Sequence, residues 1–343
     1  MTSSVPCVGN LSPADDYMHP VSEHASHNES MFFNFFDDRL QVGGFVRIGN
    51  RVNERHAEMT FCIFLPGGEV LLQWGKPPIA GNDVFDAAGM RFDVLEPARR
   101  LEVRYDGDVV RLADPDEMRD PGKAMRDNPR VHAELRLGIS GIGPMIGDRE
   151  GRPDSIIFLD GVGHYQQPIA AKGELRVGDT CYSIDARGVR DHSWGPRIWH
   201  SIHRDRSLWV SFGPELTLIA CKTWLSATCR PDEMGCVVEH GAVTPLRRIE
   251  MRSTYRPETF YHDSVVLDVE DVEGRRLHLD GAVLGYVPLR HRKEGQETIY
   301  LGQAMTRFRL GDRETIGLSE YFDAASATPA LVEASRRREA VQE

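Results

Sequence analysis

The stretch GVRDHSWGPRIWHSIHRD, Gly188 to Asp205, concentrates the residue types that do chemistry. Asp191 and His192 are adjacent, Trp194 and Trp199 follow, and Arg190, Arg197 and Arg204 are interleaved with His200 and His203. An acid and an imidazole beside aromatic faces suit proton transfer, with the rings stabilising positive charge as it develops. Desolvation raises the pKa of a carboxylic acid in such a place, which is what protonating an alkene or a leaving hydroxyl group demands. The alternative is structural: Asp191 pairs with Arg190 or Arg197 and locks a strand crossing. Tryptophans favour burial and buried charges need partners, so the stretch is either a cavity wall or an internal ion-pair network.

Other chemistries fit less well. His192, His200 and His203, with His164 nearby in sequence, could ligate a metal, but no HxH pair puts two imidazoles on one strand face. Histidines bonded to carbonyls or acids are the better reading, and no metal is expected. Ser193 lacks a GxSxG frame, and Cys62, Cys181 and Cys221 sit in apolar strand-like runs that suit reduced core thiols, so covalent catalysis is not expected. LRLGISGIGPMIGD supplies Gly138, Gly141, Gly143 and Gly147, yet Pro144 removes an amide donor and no amphipathic helix follows. No nucleotide or other cofactor is expected.

The elements that must position these residues are strands. HAEMTFCIFLPGGEVLLQWG reads as two strands joined at Pro66-Gly67-Gly68, and RRLEVRYDGDVVRLAD as two more joined at Asp106-Gly107-Asp108. The same alternation recurs in GELRVGDTCYSIDARG, SLWVSFGPELTLIACKTW and TIYLGQAMTRFRLGDRETIGLSEYF. PDEMRDPGKAMRDNP is expected to hold turns only, because Pro121-Gly122 interrupts it, whereas PALVEASRRREAVQ predicts a terminal helix. The polar start, with His19, His24 and His27, reads as a loosely held arm. The strands exceed one small barrel and predict two β units, with Gly188–Asp205 near their junction, where sites often lie.

The chain has 343 residues, with 32 glycines and 20 prolines that suit a turn-rich β protein. A formal net charge of −11 repels phosphate backbones, so nucleic acid is not an expected partner. No run of about 18 apolar residues predicts a membrane span, and the start lacks the pattern of a secretory signal, so a cytoplasmic protein without integral membrane association is expected.

The segment GVGHYQQPIAAKGELRVGDTCYSIDARGVRDHSWGPR, Gly161 to Arg197, resembles the lipocalin-like proteins grouped with bacterial carotenoid 1,2-hydratases, in particular a branch with GxGHYxQ followed by RDHSWGPR. HNESMFFNFFD and RIGNRVNE resemble the same branch. The resemblance covers roughly residues 25 to 325. It implies an all-β chain of two consecutive lipocalin-like antiparallel β-barrel domains, here assigned to 29–185 and 186–328, after an arm at 1–28 and before a C-terminal helix at 329–343. It also implies metal-free, nucleotide-free acid–base chemistry on apolar molecules, with the hydratases' H-x-W pattern falling on His192 and Trp194.

One departure matters. The hydratases carry a Y-x-D further along, whose aspartate is the proton donor, and this chain has LTLIACKTW there without an acid. Asp191, Asp160 or Glu215 would then supply the proton, or His192 paired with Asp191 would. The expected function is a cofactor-independent lyase or isomerase, of hydratase, dehydratase or cyclase type, acting on a hydrophobic alkene or alcohol such as a terpenoid or steroid-like compound. Asp191, His192, Trp194, His164 and Tyr165 are the expected catalytic residues, and Trp199, Arg197, Gln167 and Asp160 are expected to bind substrate. The alternative is a carrier of an apolar small molecule, and a homodimer is compatible with either.

Overall fold

The structure, a computed structural model, describes residues 7–150, 155–156, 162–257, 259–292 and 294–328, apart from the side chain of Trp199. Asp160 and the expected C-terminal helix at 329–343 lie outside the described residues.

The chain is all β, built as two antiparallel barrels. Pairing runs from His27–Asp37 through Val42–Arg51, His56–Phe64, Val70–Gly75, Arg100–Leu112, Arg130–Gly141, Gly163–Val177 and Thr180–Pro196, and returns to His27–Asp37. Eight strands of the first sheet thus close on themselves. The second barrel is also closed, from Arg204–Ser211 to Arg313–Ala324, again with eight strands. Closure pairs most of the strand edges within each ring, which suits sequences so rich in strand-forming residues.

Local chemistry sets the connections. Gly67 and Gly68 take positive φ in the turn between His56–Phe64 and Val70–Gly75, as the Pro-Gly-Gly signal predicts. Asp106-Gly107-Asp108 does not turn. Arg100–Leu112 is one continuous strand, paired along its length by Arg130–Gly141 and on its other edge by Met90–Glu96 and then Val70–Gly75, so flanking strands override the turn signal. Pro115–Arg119 and Pro121–Asp127 are short helices rather than turns alone: Pro121 opens the second, where a missing N–H costs nothing, and the Asp120 side chain caps it by accepting from Lys123 N.

Two further expectations change. Thr180–Pro196 pairs wholly within the first sheet, so the division at 185/186 falls inside one strand and the hand-over lies between Pro196 and Arg204. The N-terminal arm is not loosely held from Cys7 onward. Cys7–Val8 pairs in parallel with Met145–Asp148, and the following turn drives Asp16 into the first barrel, where its side chain is fully buried.

The barrels share a core. Phe32, Phe45, Phe64 and Leu72 from the first pack in one cluster with Trp209, Ile219, Val287 and Leu318 from the second. This explains why His27–Asp37 shows no alternation of burial: one face fills the first barrel and the other meets the second. The hairpin of Gly163–Val177 and Thr180–Pro196 divides similarly. Its outer half alternates, with Lys172, Glu174 and Arg187 exposed, whereas Gly163–Ile169 and Gly188–Gly195 lie almost entirely buried between the two barrels. Cys181 falls on the exposed outer half, so it is not a core thiol, although all six cysteines are free.

Candidate functional site

Strand alternation cuts the central motif in two. Arg190, His192 and Trp194 point into the first barrel, on the side of Ile184 and Ala186, while Asp191 and Ser193 point to the second barrel. Asp191 and His192, adjacent in sequence, therefore do not act on a common point.

On the inner side the motif closes into a polar network. Asp16 accepts two bonds from Arg190, at 2.5 and 2.9 Å, and the Tyr165 hydroxyl also donates to it. Gln167 joins Arg190 to the surrounding loops, accepting from its Nε at 2.8 Å and donating to the carbonyls of Ala98 and Gly143. Burial pushes the Asp16 carboxyl up, but Arg190 overcomes it and holds the pKa below the ordinary value; burial also drives the Tyr165 hydroxyl well upward. Beside this pair, Glu29 Oε1 lies 3.0 Å from His192 Nε2 and 2.8 Å from His19 Nδ1, and Asn82 donates to Oε2 at 2.7 Å. Burial opposes the charge on Glu29, yet the two histidines prevail and bring its pKa to about 2. The His19 ring stacks on Trp194 with centroids 3.7 Å apart.

The motif glycines make room for this arrangement. A Cβ on Gly163 would fall 2.1 Å from the Trp194 ring, and Gly195 takes φ of +110°, which a side chain would strain. His19, Glu29 and His192 also place three potential metal-ligand atoms within 4.8 Å of one another. His19 Nδ1 and His192 Nε2 both lie at hydrogen-bonding distance from Oε1, while His192 Nδ1 is buried with no hydrogen-bond partner among the described residues.

The outer side opens on space. A cavity of about 470 Å³ lies between the barrels, walled by Phe32, Phe45, Leu72 and Met59 on one side and by Leu289, Leu301 and Phe322 on the other. A smaller chamber of about 100 Å³ adjoins it, with a mixed lining: His164, Gln166, Ser193, Asp205 and Ser207 beside Ile202, Ile219 and Met234. Asp191, Arg197, Trp209, Glu320 and Phe322 line both. His164 Nε2 stands 3.9 Å from Asp191, and Trp209 Nε1 donates to Gln166 at 3.1 Å.

Glu320 is the acid that the sequence reading missed. It sits between Leu318 and Phe322 on the cavity-facing side of Arg313–Ala324, and Gln303 donates to its Oε2. Burial, reinforced by Asp205 and Asp191 and opposed by Gln303 and Arg197, pushes its pKa up to about 7. Asp205 is raised as well, by burial, against bonds from Thr223, Ser207 and Cys221. Thr223 and Cys221 belong to LTLIACKTW, so the strand without an acid instead supplies donors to one. The detectable signal was an acid alternating with Leu318 and Phe322 in an otherwise apolar strand face.

The expected site residues thus separate. Asp191, His164 and Arg197 face the cavities; His192, Trp194, Tyr165 and Gln167 belong to the inner network and line neither cavity. Glu215 is far from both in bonding terms, pairing at the surface with Arg313. His200 bonds the Glu297 carbonyl, so it does not join His192 in a metal set.

Comparison with known proteins agrees with this architecture. NE1406 of Nitrosomonas europaea, provisionally assigned as an AttH, superposes with a TM-score of 0.60 at 10% identity, over 94% of this chain and 99% of that one. Kievitone hydratase from Nectria haematococca superposes with a TM-score of 0.53 at 9% identity, over 94% and 98%. CghA with Sch210972 does so with a TM-score of 0.52 at 11% identity, over 87% and 88%. At such identities the likeness is one of fold. No curated protein sequence matches the chain. Residues 12–325 match DUF7064, a domain of unknown function, and the protein belongs to that family.

Proposed function

We propose that the protein is a cofactor-independent acid–base lyase or isomerase acting on a small apolar alkene or alcohol held between the barrels. The observation that carries this reading is Glu320, an acid poised to be protonated near neutral pH where the larger cavity meets the smaller chamber. Kievitone hydratase, similar in fold, is by its name a hydratase.

In the hydration direction Glu320 delivers its proton to an alkene carbon, and the Trp209 ring lies on the same wall to stabilise the resulting cation. Water in the smaller chamber then adds to the cation, and Asp191, with His164 beside it, takes the proton that the water loses. The reverse sequence expels water from an alcohol, and loss of a neighbouring proton instead of water addition gives isomerisation. The inner network fixes the strand that carries Asp191 and holds no reacting atom. Terpenoid and steroid-like compounds remain the first substrates to try.

A carrier is the second reading, favoured because His192, Trp194 and Tyr165 are engaged with one another and with Glu29 and Asp16 rather than with open space. The test is mass spectrometry of terpenoid, steroid and aryl-alkene panels incubated with protein in oxygen-18 water. Products that gain labelled water, lose water or isomerise support the enzyme. Compounds retained stoichiometrically without conversion support the carrier.

A further inference from the structure

Three side chains of the inner network come from separate segments and converge on one point. Glu29 and His192 stand on the paired strands His27–Asp37 and Thr180–Pro196, where Glu29 lies opposite Trp194 and His192 opposite Met31, so both reach the interior of the first barrel. The N-terminal arm brings His19 to them, with its ring held flat against Trp194. Ligand-type atoms of the three lie within 4.8 Å of one another, Glu29 Oε1 being 2.8 Å from His19 Nδ1 and 3.0 Å from His192 Nε2. Glu29 Oε1 also accepts from the His19 backbone N–H at 2.9 Å, so three nitrogens crowd one oxygen.

Proton placement is awkward if these contacts are hydrogen bonds alone. With its proton on Nδ1, a neutral His19 turns a bare lone pair on Nε2 toward Asp15 Oδ1 at 3.4 Å, acceptor against acceptor. A cation in place of the inward protons removes the conflict. The His19 proton then sits on Nε2 and bonds Asp15, the carboxylate–histidine arrangement that steadies a metal-bound imidazole. The His192 proton moves to Nδ1, which lacks a described partner in either tautomer. Neighbouring groups already hold the ligands in place: Asn82 donates to Glu29 Oε2 at 2.7 Å, and Arg149 anchors Asp15 at 2.9 Å. Two neutral imidazoles and a carboxylate oxygen suit zinc. Its bonds of about 2.0–2.2 Å set ligand atoms roughly 3.4 Å apart, a spread of about half an ångström from the present contacts.

We infer that His19, Glu29 and His192 bind a divalent transition-metal ion of the zinc class, with water completing the coordination. His19, Glu29 and His192 line neither of the two cavities described above, so the site goes beyond the proposed acid–base chemistry and does not depend on it. The ion's role is to pin the arm. It ties His19 to two strands of the first barrel just beyond Asp16, whose carboxylate bonds the buried Arg190.

The test is metal analysis of the full chain, purified without a metal-affinity step, followed by titration of the chelator-treated protein with Co²⁺ read by visible absorption. About one zinc per chain is expected, with stoichiometric Co²⁺ uptake into a site of low coordination number. Either ion raises the unfolding temperature by several degrees, because it binds the folded arm and not the unfolded chain. His19→Ala, at a partly exposed position, abolishes stoichiometric binding, and so does Glu29→Gln, whereas His278→Ala at the surface keeps it. A chain that takes up neither ion, or binding that survives His19→Ala, would overturn the inference. The first of these results would assign relief of the Asp15 contact to a second proton on His19 instead of a metal.

Discussion

The two faces of Thr180–Pro196 carry similar residues to opposite ends. On the inner face Arg190 and His192 each meet a carboxylate at bonding distance, and neither lines the two cavities described above. On the outer face Asp191 looks into two joined cavities, with an acid raised toward neutrality across the gap. Buried charge that is fully partnered stabilises one arrangement of the chain; charge that faces space can change partners during a reaction. The comparison teaches that a motif dense in catalytic residue types can be mostly scaffold, with one member of each alternating pair left for chemistry.

The second barrel repeats the inner-face solution. Arg206 bonds Asp323 at 2.8 Å and stacks over Tyr321, much as Arg190 joins Asp16 and Tyr165. Burial and the neighbouring arginines Arg206 and Arg256 lower the His262 pKa well below its usual value, so this network too is static at neutral pH. The resemblance between the barrel interiors strengthens the contrast with the space between them.

The sharpest way to break the contrast is Glu320→Gln, which removes the proton donor and lowers turnover by about 10²–10⁴-fold while the circular dichroism spectrum stays unchanged. Next in size is Arg190→Met. It leaves Asp16 buried without its cation and costs about 3–5 kcal/mol in urea unfolding.

The pH dependence separates the faces further. Glu320 acts as an acid only when protonated, so turnover falls as pH rises through about 7. Because its folded pKa lies above the ordinary 4.5, its contribution to stability is full below 4.5 and is lost through about 7, and Glu320→Gln is the more stable protein at pH 8. Glu29 and Glu58 have the opposite sign: their folded values near 2 give stability that is present above about 4.5 and lost as pH falls toward 2. Acid denaturation monitored by near-ultraviolet dichroism, with Glu29→Gln flattening the transition, checks this. The smallest effect is on the exposed outer half of the same hairpin, where Lys172→Ala breaks a surface pair with Asp185 and changes stability by less than about 1 kcal/mol in the same urea assay.

Much of the fold was legible because hairpins announce themselves locally. Pro66-Gly67-Gly68 and the turn at Gly178 could be read directly, and the central motif pointed to the two-barrel class. Asp106-Gly107-Asp108 misled because it lies in the middle of a long pairing with Arg130–Gly141, which no local pattern reveals. The site was legible in half. Strand periodicity alone separates Asp191 from His192, and reading them as a pair overlooked it. Asp16 and Glu320 were hidden for another reason: they come from the ends of the described chain and meet the motif only through tertiary packing.

The central claim is that the chemistry belongs to the space between the barrels, and the most direct test compares Glu320→Gln with His192→Gln on one converted substrate, with turnover normalised to folded protein. The account predicts that Glu320→Gln is inactive while His192→Gln, though less stable, keeps most of its activity per folded molecule. Full activity in Glu320→Gln, with His192→Gln folded and silent, would contradict it.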